Sequence, residues 1–145
     1  MKIVLVSSIG GHLTDLLALS SAFDDHERVW VLNDRSPVLP ASEPAYVVAH
    51  AERDWRVAWN LVEFAAIFAV EKPDVVVSAG AGPAVPAAIV ARAAGIPFVY
   101  IEPSSAVTAL TLTGRIMRTL ASRFYVQWEP LRARVPEARF VGGVL

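Results

Sequence analysis

"KIVLVSSIGGHLTDLLAL", residues 2–19, places a nearly continuous apolar run, two adjacent glycines, a histidine and a leucine-rich segment in immediate succession. The run 2–7 reads as a strand covered on both faces, as strands of a parallel sheet are. Over 12–23, Leu13, Leu16 and Leu17, then Leu19, Ala22 and Phe23, recur at three- and four-residue spacing and predict an amphipathic helix. Gly10, Gly11 and His12 therefore fall in a strand-to-helix turn. That turn is where a doubly wound fold binds ligands, because the helix N-terminus offers unpaired N–H groups and a partial positive charge.

The same alternation continues outward. Strands are predicted at 28–33 (RVWVLN), 45–50 (AYVVAH), 74–80 (DVVVSAG), 98–102 (FVYIE), 123–128 (RFYVQW) and 138–143 (ARFVGG). Helices are predicted over 54–71, stopped by Pro73, from Pro83 to Gly95, over 106–122, and in a short piece before Pro136. The fold class is α/β, a Rossmann-like doubly wound parallel sheet. The 145 residues suit a single domain, 1–145, with no internal repeat or linker.

Composition narrows the function classes. Hydrophobic residues make up 54% of the chain and charged ones 19%, above the roughly 45–50% apolar content of ordinary chains, and part of that surplus fits an interface. A formal charge of −1 gives no pointer to nucleic acid, and the lack of cysteine removes disulfide and thiolate-metal chemistry. The first residues are too short an apolar run for a signal peptide, so a cytoplasmic protein is expected. The stretch 57–70 is interrupted by Asn60 and Glu63 and falls short of the roughly 18 apolar residues a spanning helix needs.

Three loops stand at predicted strand ends. In the first, Gly10 and Gly11 remove side chains so that an anionic group can approach the backbone, while His12 can hydrogen-bond or exchange a proton; a plain tight turn is the other reading. In the second, Gly80 and Gly82 with Glu102 partly match a dinucleotide fingerprint, but Val85 stands where a third small residue belongs, so turn glycines are an equal reading. Glu102 serves there as a ribose-binding acid, or as a surface carboxylate paired with an arginine. The third region carries Ser104, Ser105, Thr108, Thr111 and Thr113, with Arg115 and Arg118 three apart on one helix face, either for phosphate and anionic membrane or as a solvated face. Scattered histidines and the lack of any Asp-x-Asp offer no metal site, and no Gly-x-Ser-x-Gly elbow occurs.

Together, SSIGGHLTDLLAL (7–19), VVVSAGAGPAVP (75–86), YIEPSSAVTALTLTGRIM (100–117), FYVQWEPL (124–131) and FVGGVL (140–145) resemble, in order and spacing, the Alg-fourteen-like, PssD-like family of oligosaccharide and exopolysaccharide biosynthesis proteins. The resemblance implies the amino-terminal half of a two-Rossmann-domain (GT-B) glycosyltransferase, equivalent to that domain of MurG. It implies an acceptor-binding subunit of a heterodimer that moves a sugar, with inversion, from a UDP-sugar to a polyprenyl-diphosphate-linked saccharide. An Alg-thirteen-like or PssE-like partner would bind the donor, and no cofactor or metal is implied. By the same carry-over, Gly10, Gly11, His12, Gly80, Gly82 and Glu102 fall on positions facing the acceptor diphosphate, with Arg115 or Arg118 replacing an arginine that many relatives carry where this chain has Ala106. The missing amino-terminal anchor implies a bacterial member held peripherally on the inner face of the cell membrane.

On that reading His12 is the candidate catalytic base, or instead a phosphate ligand. Membrane contact is expected through Trp55 and Trp59 on the apolar helix, against the alternative that this helix only packs on the sheet. Partner contact is expected at Val144 and Leu145, an apolar terminus otherwise left in water. Two rivals remain: an NAD(P)-binding reductase using Gly80, Gly82 and Glu102, and a non-catalytic membrane scaffold for the donor-binding subunit.

Overall fold

A computed structural model describes residues 1–36, 38–51 and 54–144. Seven parallel strands form one sheet in the order β3-β2-β1-β4-β5-β6-β7: β1 Lys2–Ser7, β2 Glu27–Leu32, β3 Ala45–Val47, β4 Val75–Ser78, β5 Phe98–Ile101, β6 Arg123–Val126 and β7 Arg139–Phe140. The helices are α1 Gly11–Ala18, α2 Arg56–Glu71, α3 Ala84–Ala93, α4 Leu112–Leu120 and α5 Glu129–Arg134. This is the Rossmann-like α/β architecture the alternation predicts. Strand order reverses between β1 and β4, so the loops leaving these neighbours diverge and open a crevice.

The two-residue period of the strands divides the core between two faces. Val4, Val6, Val76, Phe98 and Tyr100 join one cluster with Phe64, Phe68, Ala87 and Met117 of α2, α3 and α4. Ile3, Leu5, Trp30 and Val77 join a second with Leu13 and Leu16 of α1. Right-handed crossovers explain the division, since the connection that runs leftward from β1 to β2 falls on one face and the rightward ones fall on the other.

Some boundaries depart from expectation. The first helix ends at Ala18 and continues as a 3₁₀ turn, Ser20–Phe23, where the Arg28 guanidinium donates to the Ser20 carbonyl at 3.1 Å. Strand 45–50 stops at Val47 because α2 captures the next backbone groups: Glu63 accepts from the Ala49 N–H at 3.1 Å and Asn60 donates to the Ala49 carbonyl at 2.9 Å. Those two side chains explain the polar interruptions of the apolar helix. The helix expected over 106–122 begins at Leu112, because Thr111 caps it, its hydroxyl accepting from the Gly114 N–H at 3.0 Å. Gly95 does end α3: at φ +71 its N–H reaches the Arg92 carbonyl while Ile96 reaches Ala91, the paired bonds of a Schellman close.

Candidate functional site

The crevice is built at the carboxyl ends of β1, β4 and β5. Gly10 has φ +99 and ψ −144, a conformation open to glycine alone, and turns the chain into α1. A Cβ on Gly10 or on Gly11 would meet nothing within 4 Å, so the space above this turn is open. No side chain caps α1, and its first backbone donors face that space.

His12 is held across the crevice, its Nδ1 lying 3.0 Å from the Ala79 carbonyl oxygen at the end of β4. A carbonyl only accepts, so Nδ1 carries the proton and Nε2 keeps its lone pair in the neutral ring. Gly80 makes the contact possible. Its φ is +113, and a Cβ there would stand 3.0 Å from His12 Nδ1 and 3.3 Å from the Tyr100 hydroxyl. A third tie joins the β5 loop: the Ser104 N–H and hydroxyl both donate to the Asp15 carboxylate of α1 at 2.8 Å. The three loops thus meet around one centre.

Glu102 lies in this region but not on its surface. It is 0% exposed, its Oε1 accepts the Thr111 N–H at 2.5 Å, and a Cβ on Gly114 would overlap its carboxylate. Direct contact with a diphosphate is closed to it, and so are the ribose and arginine contacts considered from sequence. It seats the first turn of α4 instead. Burial pushes its carboxyl above the ordinary glutamate value, against the Thr111 hydrogen bond, which favours the charged form. The neighbouring Tyr100 hydroxyl is pushed up by burial and then by the Glu102 charge. Its oxygen and Glu102 Oε2 are buried without a hydrogen-bond partner among the described residues.

Gly82 lies beside the crevice, with a Cβ position 3.2 Å from the Ala51 carbonyl oxygen. It lines an apolar groove of about 690 Å³ with Val57 of α2, Val85 and Pro86 of α3, and Leu112 and Ile116 of α4. Arg115 is exposed on that helix and makes no ion pair among the described residues. Arg118 is engaged by Glu137. Trp55 and Trp59 are 75% and 53% exposed, on the helix whose Val57 lines the groove. Among the described residues, no helix is long and apolar enough to cross a membrane.

Val144 is far from frayed, because its N–H donates to Gln127 Oε1 at 3.0 Å. Leu145 lies outside the described residues. The Gln127 amide also donates to the Glu102 carbonyl at 3.1 Å, and Trp128 Nε1 donates to the Ser104 carbonyl at 2.7 Å. Sequence reasoning missed Asp15, Tyr100, Gln127 and Gly114. A carboxylate inside the Leu13–Leu16 stripe and a glycine inside a helical segment were the available signals.

A family model described as "Oligosaccharide biosynthesis protein Alg14 like" matches residues 53–144. The whole chain aligns at 25% identity with the UDP-N-acetylglucosamine transferase subunit ALG14 of Mus musculus and at 24% with that of Homo sapiens, in each case over 83% of the relative. In fold, it is similar to MurG of Acinetobacter baumannii (TM-score 0.79, 17% identity) and to a UDP-GlcNAc 2-epimerase of Methanocaldococcus jannaschii in complex with UDP-GlcNAc and UDP (TM-score 0.80, 15%). Each match covers 99% of this chain but only 46% and 47% of the solved chains, so it spans just under half of their length. With the ordered motifs, the strand-end crevice and the matching family model in agreement, the chain belongs to the Alg14-like family of oligosaccharide biosynthesis proteins.

Proposed function

We propose that this chain is the acceptor-binding subunit of a two-component inverting glycosyltransferase, which moves a sugar from a UDP-sugar to a polyprenyl-diphosphate-linked saccharide. The observation that carries this reading is the His12 ring, tethered through Nδ1 to Ala79 and standing beside the open Gly10–Gly11 turn. Backbone N–H groups at the uncapped start of α1 would hold the diphosphate. His12 Nε2 would take the proton from the acceptor hydroxyl as its oxygen bonds to the anomeric carbon and the bond to UDP breaks. UDP departs with the electron pair, stabilised on the partner chain, an Alg-thirteen-like or PssE-like subunit.

The groove beside Gly82 fits the first isoprene units of the acceptor lipid, and Arg115, exposed on the helix that supplies Leu112 and Ile116 to the groove, would meet an anionic headgroup. The outward side of α2 presents Trp55, Trp59, Val62, Ala66 and Val70, all exposed and without a charge among them. Such a side suits peripheral seating in the headgroup zone of a membrane. The reductase reading loses its acid, since Glu102 is buried under α4.

The test is transfer by the reconstituted pair from UDP-GlcNAc and other UDP-sugars to lipid-diphosphate acceptors, using two variants of one residue. His12→Asn keeps a donor near the Nδ1 position and lacks a base; His12→Gln places a donor near the Nε2 position and lacks a base as well. A base at Nε2 predicts that both lose about 10²–10⁴-fold in turnover. Retention of activity by His12→Gln would make His12 a phosphate ligand, and retention by both would leave the scaffold reading. No transfer by a stable pair refutes the proposal.

A further inference from the structure

Gln127 stands just past β6, where three elements meet, and is only 5% exposed. Its Oε1 accepts from the Val144 N–H at 3.0 Å, its Nε2 donates to the Glu102 carbonyl at 3.1 Å, and the same nitrogen reaches Asp15 Oδ2 of α1 at 3.5 Å. A backbone N–H only donates and a carbonyl only accepts, so the amide sits in one orientation. Segment 141–144 packs close against it: a Cβ on Gly143 would stand 3.2 Å from the Gln127 carbonyl oxygen. That segment forms one wall of a bare apolar groove of about 440 Å³ over Val99, Ile101 and Tyr125.

From Gln127 the bonds continue to the crevice. The Glu102 N–H donates to the Tyr125 carbonyl at 2.8 Å while its carbonyl accepts from Gln127, so the start of the β5 loop is held twice. Two residues on, Ser104 donates through its N–H and its hydroxyl to the Asp15 carboxylate, which is 4% exposed. Trp128 Nε1, next to Gln127 in the chain, holds the Ser104 carbonyl. His12 and Asp15 are three apart and therefore leave α1 on one side. One is tied to Ala79 at the end of β4 and the other to the β5 loop. Two attachments nearly a turn apart fix the rotation of α1 about its axis, and with it the direction of its first N–H groups and of the His12 ring.

We propose that Gln127, Ser104 and Asp15 are positioning residues for the acceptor site: a relay of hydrogen bonds running from Val144 through them sets how the start of α1 faces the acceptor diphosphate. The inference rests on the acceptor-binding reading above and adds the residues that orient that site. None of the three needs to touch the diphosphate. A buried polar network rigidifies what it joins when each member is satisfied. Once Gln127 no longer donates, the Glu102 carbonyl loses its partner and the β5 loop is released. The Ser104–Asp15 tie then no longer anchors α1, which pivots on the His12 contact and turns its N–H groups away from the diphosphate.

The experiment uses the reconstituted pair, the UDP-sugar it transfers and a short-chain lipid-diphosphate saccharide as acceptor. Gln127→Glu keeps an acceptor for Val144 and puts a carboxylate oxygen where the donor stood; it should raise the acceptor KM at least about tenfold and leave the UDP-sugar KM within about twofold. Ser104→Ala removes only the hydroxyl bond and should raise the acceptor KM about threefold. The double variant should be no worse than Gln127→Glu alone, because both changes break one relay, whereas separate roles would multiply. The control is Tyr46→Phe, which removes a hydrogen bond to Glu71 at the far edge of the sheet; it should lower the thermal midpoint and leave the acceptor KM unchanged. A purely structural role would likewise lower the midpoint and the active fraction without moving either KM. If Gln127→Glu fails to fold, Ser104→Ala carries the test. An unchanged acceptor KM in the folded variants, or multiplied effects in the double variant, overturns the relay and leaves the proposed function standing. No transfer by a stable parent pair overturns both.

Discussion

Gly80 and Gly11 look alike in the sequence, yet their surroundings predict opposite responses to a single methyl group. At Gly80, alanine must adopt φ +113, at a cost of about 2 kcal/mol for a sparsely populated backbone region. Its Cβ would lie 3.0 Å from His12 Nδ1, tighter than an ordinary contact, so the ring shifts and its bond to Ala79 weakens by about 1 kcal/mol. The sum is about 3 kcal/mol. With a urea slope of roughly 2 kcal/mol/M, the midpoint falls by about 1.5 M. Gly11 opens α1, has no positive φ, and a Cβ there touches nothing, so alanine leaves the stability unchanged or raises it by up to about 1 kcal/mol, about 0.5 M in midpoint. Yet the methyl stands over the turn proposed to hold the diphosphate. Urea denaturation of both variants, followed by transfer assays with the reconstituted pair, should find Gly80→Ala unstable and Gly11→Ala stable but impaired. A Gly80→Ala midpoint close to the parent's would refute the reasoning about the His12 tether, and full activity in Gly11→Ala would refute the placement of the diphosphate.

Three further outcomes follow from the buried network and the exposed tryptophans. Burial raises the Glu102 pKa in the folded state, so folding favours the protonated carboxyl; its stabilising effect is complete below the unfolded value near 4.5 and disappears as pH rises through the folded one. Glu102→Gln should therefore gain stability relative to the parent as pH increases, measured by urea midpoints from pH 4 to 8, and a constant difference would contradict the assignment. Asp15→Asn replaces an oxygen that accepts from Ser104 with an amide donor, and should cost about 1.5–3 kcal/mol by the same measurement; a change under about 0.5 kcal/mol would show that the loops are not tied there. Trp55→Ala with Trp59→Ala should leave the thermal midpoint within a few degrees, since both side chains are exposed. It should also reduce co-sedimentation with anionic vesicles severalfold, and undiminished co-sedimentation would remove α2 as the membrane surface.

What the sequence made legible was local. Apolar runs in β1, β2 and β4 gave the strands, the leucine spacing gave α1, and Gly95 stopped α3 through bonds to residues within four positions. What it hid was set by partners distant along the chain. Ser104 is bound by Asp15, 89 positions away, so 106–110 follows bends where Ala106, Ala109 and Leu110 read as helix. The end of β3 is decided by Asn60 and Glu63 in the next helix. Glu102 is a different case, because its fate was readable. Phe98 and Tyr100 turn to the α3 and α4 side, and the two-residue period carries Glu102 there with them, away from the crevice. Arg118 looked equivalent to Arg115 until the fold brought Glu137 to it, leaving Arg115 exposed and without an ion pair among the described residues.

The crevice and the bare groove have a common origin in the strand order. The chain begins in the middle of the sheet, builds two strands to one side, then crosses back and builds four to the other. That reversal parts the loops after β1 and β4, which is why His12 and Gly80 face each other across an opening. Right-handedness then sends the later crossovers onto one face, so nothing within the described chain covers Val99, Ile101 and Tyr125 on the other. The two features are also physically joined. Gln127 donates to the Glu102 carbonyl beneath the crevice and accepts from the Val144 N–H in the groove wall. Gln127 therefore ties the segment Val141 to Val144 to the residue that begins the β5 loop, so a displacement of either is felt by the other.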